Sequence, residues 1–214
     1  MTLAEIAAAL GLQLSASQSA ALLKYLELLE RWNATYNLTA VRDREAMLSQ
    51  HLADCLAVIP PLRRRLEGRA CLLDVGSGAG LPGVVIATLL PDCEVTCVDA
   101  VAKKAAFVRQ AAAALALPNL QSRHGRVEAL GSAVFDVITS RAFASLADFV
   151  RLTDPLLATD GAWMAMKGKT PDEEIADLPR SVCVFHVEQL RVPALAADRC
   201  LVWMRRADSA SDLA

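Results

Sequence analysis

The chain has 214 residues, of which 54% are hydrophobic, 21% charged and only 5% aromatic, enough apolar material for a full core and no low-complexity tract. A formal net charge of -2 gives no sign of a nucleic-acid partner, so any such partner would have to be met by a local basic face. No apolar run approaches the roughly 20 residues that cross a bilayer, and Glu5 stands where a secretion signal would be basic.

The six cysteines (Cys55, Cys71, Cys93, Cys97, Cys183, Cys200) lie mostly in apolar segments without CxxC spacing. They read as buried, reduced thiols of a cytoplasmic protein, and no metal cluster is expected.

In chain order, Thr2 with Glu5 and Ser15 with Gln18 have capping-box spacing and predict two helix starts. From Ser15, apolar residues Leu22, Tyr25, Leu26, Leu29 and Trp32 recur at helical spacing until about Asn33. A polar segment from Thr35 to Arg42 follows, then a helix from Asp43 to Val58, closed by Pro60-Pro61. Beyond it strands and helices alternate. Strands are predicted at Cys71–Val75, Glu94–Asp99, Leu120–His124, Val134–Thr139 and Ala162–Lys167. Helices fall at Pro82–Leu90, Val101–Leu115 and Leu146–Leu157. Two strand-like runs, Val182–Val192 and Arg199–Arg205, have no long helix between them and read as an antiparallel pair.

The expected fold class is α/β: a doubly wound, Rossmann-like, mostly parallel sheet with an antiparallel C-terminal strand pair and an N-terminal helical cap. Residues 1–66 form the cap, 67–206 the core, and 207–214 are expected as a disordered tail.

The run Leu72-Leu73-Asp74-Val75-Gly76-Ser77-Gly78-Ala79-Gly80-Leu81-Pro82-Gly83 is the most informative stretch. Apolar strand, glycine turn and helix start together make a nucleotide-type loop, with free N–H groups and a positive dipole end aimed at a ligand. Asp99 ends the second strand, where a carboxylate accepts both ribose hydroxyls of an adenosine; it also suits a cap before the next helix. The spacing Gly-x-Gly-x-Gly departs from the dinucleotide Gly-x-Gly-x-x-Gly, because Leu81 stands at its last position. Asp74, two residues before Gly76, sits well beside a methionine ammonium group and badly beside a pyrophosphate. These points favour S-adenosylmethionine over NAD.

Trp32-Asn33, Tyr36-Asn37-Leu38-Thr39-Ala40-Val41-Arg42-Asp43, His51-Leu52-x-Asp54, the glycine loop, Ser140-Arg141-Ala142-Phe143-Ala144-Ser145 and Lys167-Gly168-Lys169 occur in that order. Together they resemble the bacterial small-subunit (16S) rRNA guanine-N7 methyltransferase family, also called glucose-inhibited division protein B. The resemblance spans roughly Leu22 to Met204, with Cys55 standing where a serine is expected.

It implies a cytoplasmic enzyme that uses S-adenosylmethionine to methylate N7 of one guanosine in the decoding-region loop of 16S rRNA. It implies that Gly76, Gly78 and Leu81 line the cofactor cleft, that Asp99 holds the ribose, and that Val127 and Glu128 meet the adenine. Arg141 would face the transfer site, gripping the cofactor carboxylate or an rRNA phosphate or pairing with a nearby carboxylate. N7 carries its own lone pair, so no general base is needed, and the absence of an Asn/Asp-Pro-Pro-aromatic motif after the fourth strand agrees.

Candidate phosphate contacts are Arg63-Arg64-Arg65 with Arg69, Lys103-Lys104 with Arg109, Arg123 with Arg126, and Lys167 with Lys169, expected on one basic face. Lys103, Lys104, Arg126 and Lys167 are the chief RNA candidates. His51 and Asp54, three apart, share a helix face as a structural tie or as part of the substrate pocket. Trp32, Tyr36, Trp163 and Trp203 read as core. The partners expected are 16S rRNA or the small subunit, with no membrane and a monomeric protein. A small NAD(P)-dependent reductase and a non-catalytic, cofactor-sensing ribosome-assembly factor stay open as alternatives.

Overall fold

A computed structural model describes residues 1–66, 68–141, 143 and 145–207; the expected tail lies almost wholly outside these residues. Seven strands form one sheet: β1 (Ala70–Val75), β2 (Cys93–Asp99), β3 (Leu120–His124), β4 (Phe135–Ser140), β5 (Leu157–Lys167), β6 (Val182–Gln189) and β7 (Cys200–Arg206). Their order is β3-β2-β1-β4-β5-β7-β6, parallel from β3 to β5 and antiparallel along β5-β7-β6. The chain reverses between β1 and β4, so the C-terminal ends of those strands border the crevice where such sheets take ligands.

Alternation along β1 sets the two layers. Leu72 packs with the helical cap, α6 (Gly83–Leu89) and α7 (Ala102–Ala114), whereas Leu73 and Val75 pack with α8 (Leu146–Thr153). Asp74 shares the α6 side with Leu72, since side chains two apart point the same way.

The cap begins with α1 (Leu3–Ala9) and α2 (Ala16–Tyr36), both started by the expected capping boxes at Thr2/Glu5 and Ser15/Gln18. Leu22, Tyr25, Leu26 and Leu29 make a buried stripe on α2. Each buried leucine removes enough apolar surface to contribute about 1.5–3 kcal/mol. The helix stops at Asn37, whose φ of 49° is left-handed and ends the hydrogen-bond ladder. It runs three residues beyond the expected end.

The next helix departs from expectation in two ways. Between Asp43 and Val58 the chain forms α3 (Arg44–Met47), a π-helical turn (Leu48–Ala53) and α4 (Asp54–Leu56) rather than one regular helix. Pro60 and Pro61 open α5 (Ile59–Arg63) instead of closing what precedes it. Proline is tolerated there because first-turn N–H groups have no intrahelical partner to lose.

A Cβ added to Gly80 would lie 2.7 Å from Val84 Cγ2 and 2.9 Å from Val108 Cγ2, at a φ of +83°. Gly80→Ala should therefore combine backbone strain with overpacking and lower stability by about 2–4 kcal/mol, which urea unfolding would measure. An unchanged midpoint would show that the loop has slack.

The thiols divide. Cys55, Cys93, Cys97 and Cys200 are buried, while Cys71 is exposed and Cys183 intermediate. Cys71 emerges because the β3-to-β4 crossover is only a 3-10 turn (Val127–Leu130), which leaves the outer face of β1, β2 and β3 lining an open groove. Among the described residues, no helix is long and apolar enough to cross a membrane.

Candidate functional site

The start of the glycine loop is tied to the strands on both sides of β1. The N–H groups of Gly76 and Ser77 donate to the Val98 carbonyl at 2.9 and 3.2 Å, and the Ser140 hydroxyl donates to the Val75 carbonyl at 2.9 Å. The buried Tyr25 hydroxyl donates to the Ala79 carbonyl at 2.8 Å, so α2 clamps the loop from the cap side. Gly78 adopts a left-handed φ of 59°, and an added Cβ would meet open space. Its glycine character thus serves the turn itself.

Asp99 is 8% exposed, and both its oxygens already organise backbone: Oδ2 accepts from Gly78 N–H at 2.9 Å and Oδ1 from Val101 N–H at 2.8 Å. Each carboxylate oxygen has a second lone pair, so the group can still accept two ribose hydroxyls. Gly76, Asp99, Arg126, Val127 and Glu128 line one cleft of about 260 Å³, completed by Val75, Val98, Phe143 and Leu152. The structure thus brings together five residues that the sequence proposed from three separate segments. Leu81 does not line this cleft; its side chain is buried, and its N–H donates to the Ser77 carbonyl within the loop.

Asp74 is fully buried. Its Oδ2 accepts from Gly83 N–H at 2.8 Å, and Cys97 Sγ lies 3.9 Å away. Its Oδ1 is buried with no hydrogen-bond partner among the described residues. Burial pushes this carboxyl up from an ordinary 3.8 to about 7, against the opposing pull of the Gly83 N–H. A buried carboxylate oxygen without a donor is costly and suits an incoming ammonium group. The open loop, the strand-end acid and this orphaned oxygen together fit S-adenosylmethionine.

An ammonium group seated at Asp74 would make ligand binding depend on pH. A cationic ligand favours the carboxylate, so binding releases a proton and affinity falls as pH drops through 7. Above the α-amino pKa of about 7.8 the ligand loses its own charge, which closes the profile on the alkaline side. Calorimetric titration with S-adenosylhomocysteine between about pH 5.5 and 8.5 should show this maximum, and Asp74→Asn should abolish the acid limb. In the free protein the sign is opposite. Between about 4 and 7 native Asp74 keeps a proton that the unfolded chain has lost, so stability falls as pH rises across that window.

A second cleft, of about 370 Å³, adjoins the end of β4 and β5. It is lined by Gln50, His51, Asp54, Arg141, Met166, Lys167, Gly168 and Arg199. The buried Asp54 organises it: Oδ1 accepts from Arg199 Nε at 2.8 Å, and Oδ2 lies 3.6 Å from an Arg141 guanidinium nitrogen, which also donates to the Gln50 carbonyl at 3.3 Å. Arg141 and Arg199 side chains each keep 27% exposure, so one face of each guanidinium stays available.

His51 and Asp54 line this cleft together but do not bond to each other. His51 Nε2 lies 2.9 Å from Thr39 Oγ1, while Nδ1 has no partner among the described residues. Burial first, and the Arg141 charge second, lower its pKa to about 4, so the imidazole is neutral at working pH. Thr39 is itself set by Asn33, whose side chain accepts from Thr39 N–H and donates to the Val41 carbonyl. The polar segment after α2 thus positions His51, and the π turn carries His51 toward Asp54; such turns recur at functional sites.

Lys167, expected at the RNA, pairs with Glu174 of α9 (Asp172–Ala176) at 2.7 Å, and Glu174 also accepts from Leu146 N–H. Lys103 and Lys104 have no salt-bridge partner among the described residues, and Arg126 opens onto the first cleft. The single basic face does not form. Arg69 pairs with Glu94, Arg64 with Glu188, and Arg65 lies over Phe185 and Trp203. These side chains gather at the start of β1 and along β6, away from the strand ends that carry both clefts, because parallel strands separate their two ends. Sequence reasoning gave Arg199 no role beyond opening the last strand; it stands just before β7, and only sheet pairing brings it to Asp54. In the Ser140–Ser145 motif, Ala142 and Ala144 lie outside the described residues.

The model of the GidB family, described as rRNA small subunit methyltransferase G, matches residues 18–202. The chain belongs to this family. It is 61% identical over 201 residues to ribosomal RNA small subunit methyltransferase G of Methylibium petroleiphilum, covering 94% of this chain and 91% of that protein. Against the same-named protein of Leptothrix cholodnii it is 62% identical over 212 residues, covering 98% and 97%. Among solved structures, TrmN from Thermus thermophilus superposes with a TM-score of 0.59 at 18% identity, covering 75% of this chain and 53% of that one. A SAM-dependent methyltransferase from Aquifex aeolicus gives 0.56 at 14% identity, covering 74% and 92%. At such identities the structural likeness speaks for the fold, a Rossmann-like class I methyltransferase sheet.

Proposed function

We propose that this protein is an S-adenosylmethionine-dependent methyltransferase acting on N7 of a guanosine in the decoding-region loop of 16S rRNA, as a cytoplasmic monomer. The observation that carries the reading is a family match over residues 18–202 laid on two clefts at the same sheet end. When bound, S-adenosylmethionine supplies a methyl group activated by a sulfonium centre. Asp99 would hold the ribose, Val127 and Glu128 would border the adenine, and Asp74 would meet the ammonium group. Arg141 would face the transfer site between the clefts.

The second cleft suits a flipped purine. Guanine N7 needs no proton removed, and no described residue there is placed as a general base: His51 already spends Nε2 on Thr39, and Asp54 is engaged by two guanidiniums. Positive charge passes to the ring as N7 is methylated, so an unbalanced cation against it would oppose reaction. Lys167 is balanced by Glu174, while Arg141 and Arg199 share the single carboxylate of Asp54, which leaves one positive charge for the cofactor carboxylate or an rRNA phosphate to balance. The chain's contribution is to orient N7 and exclude water, and orientation of this kind can be worth about 7–11 kcal/mol.

Large exposed apolar side chains are few among the described residues (Met1, Leu23, Tyr36, Val101, Val134), which agrees with a monomer. After β4-α8-β5 the sheet ends in the antiparallel β7 and β6, so no complete second βαβαβ half forms for a dinucleotide, which disfavours the reductase. The test is transfer of labelled methyl from S-adenosylmethionine to small subunits or naked 16S rRNA, with the modified nucleotide mapped. Label at one guanine N7 supports the reading. Tight cofactor binding with no transfer to either would favour a cofactor-sensing role instead.

A further inference from the structure

Tyr36 is expected in the core from its sequence context, yet it is 44% exposed. It ends α2 with its ring centroid 5.0 Å from that of Trp32, and Trp32 in turn meets Phe107 of α7 at 5.5 Å. The two helices run antiparallel: Lys24 Nζ donates to the Ala114 carbonyl at the C-terminal end of α7, and Trp32, two turns later, meets Phe107. One further turn carries Tyr36 toward the N-terminal end of α7, where Val101 is 39% exposed and Lys103 and Lys104 stand.

The charge there is predominantly positive. Neither lysine has a salt bridge among the described residues, and Arg42 donates only to the neutral Asn37 side chain. Asp43, next to Arg42 in the chain, caps α3 by accepting from Ala46 N–H and sets one carboxylate against the three cations. Two cations in the first turn of α7 also oppose the helix dipole, a cost that an anion relieves. This patch is continuous with the cofactor cleft, because Asp99, which lines that cleft, accepts from Val101 N–H.

We propose that Tyr36, backed by Trp32, is a stacking platform for an unpaired base of the RNA strand flanking the target nucleotide, with Lys103, Lys104 and Arg42 on its phosphates. An exposed ring between unpaired cations is the arrangement that binds single strands, the ring taking any base by its face and the cations following the backbone. The inference rests on the reading of the protein as an RNA methyltransferase and adds where the strand lies.

The test is fluorescence anisotropy of a labelled single-stranded RNA 12-mer, run across salt concentrations beside a duplex of the same length. Tyr36→Ala should weaken single-strand binding about tenfold, while Tyr36→Phe, which keeps the ring, should stay within about twofold. Lys103→Gln with Lys104→Gln, both on the surface, should flatten the salt slope by about 1.4, the value for two phosphates on a single strand. S-adenosylhomocysteine affinity should not change in any of them, which separates a surface effect from damage to the cradle. Single-strand affinity unmoved by both Tyr36→Ala and the lysine pair would overturn the proposal, as would wild-type protein that binds no single strand. If the wild type transfers no methyl group yet loses RNA binding with these changes, the functional reading falls and the platform stands.

Discussion

Asp54→Asn is expected to cut methyl transfer by about 100-fold or more while cofactor affinity changes little, because 1 Å of misplacement at a reacting centre costs that much. The carboxylate is buried and is the group between two guanidiniums, Arg199 at 2.8 Å and Arg141 at 3.6 Å. An amide offers one acceptor oxygen and turns its N–H₂ toward the other arginine, so the two cations repel and the cleft loses its shape. Removing one partner of a buried ion pair costs about 3–5 kcal/mol. Here the arginines keep some solvent contact, so urea unfolding should give a loss near the lower end, about 3 kcal/mol. Single-turnover kinetics with saturating cofactor reads the transfer step directly. Arg199→Lys should show a smaller version of the same defect, because an ammonium keeps the charge but not the planar fork. Full turnover in Asp54→Asn would remove this cleft from the chemistry.

Asp99→Ala should raise the dissociation constant for S-adenosylhomocysteine by about 100-fold, taking about 1.5 kcal/mol for each of two charge-assisted hydrogen bonds to the ribose. The change reaches beyond the ligand. Gly78 N–H and Val101 N–H both lose their acceptor, so the glycine turn and the start of α7 loosen together. Asp99→Asn retains one acceptor oxygen and should lose about tenfold. Calorimetry on folded protein decides the matter, since near-ultraviolet circular dichroism would reveal a collapsed loop. Affinity equal to wild type in Asp99→Ala would mean that the ribose is held elsewhere.

Much of this molecule is legible in its residue order. Periodicity places the strands of the sheet within about three residues, because buried parallel strands are short apolar runs bounded by turns; the exception is β5, which starts at Leu157, five residues ahead of the expected Ala162 and where a helix is expected to end. Capping boxes mark the starts of α1 and α2, and the antiparallel finish follows from two strand patterns with no long helix between them. The short α9 carries no apolar stripe to betray it, and with it Glu174, the partner that takes Lys167, stays hidden. Helix irregularity is also invisible. Nothing in the apolar pattern from Asp43 to Val58 distinguishes a π turn from a continuous α-helix.

What the sequence alone determined is the local chemistry: a glycine turn after Asp74, an acid at the end of the second strand, and alternation that puts both at one edge. These depend on residues close together in the chain, where backbone sterics and hydrogen bonding act directly. Tertiary structure decided everything that depends on distance through space. It joined Asp54 to Arg141 and, across 145 positions of chain, to Arg199, left one oxygen of Asp74 buried without a donor among the described residues, and sent Arg64, Arg65 and Arg69 to the far end of the strands. It also turned Tyr36 outward and uncovered Cys71. Burial and charge pairing are properties of neighbours in the fold, and those neighbours are chosen by sheet order rather than by spacing along the chain.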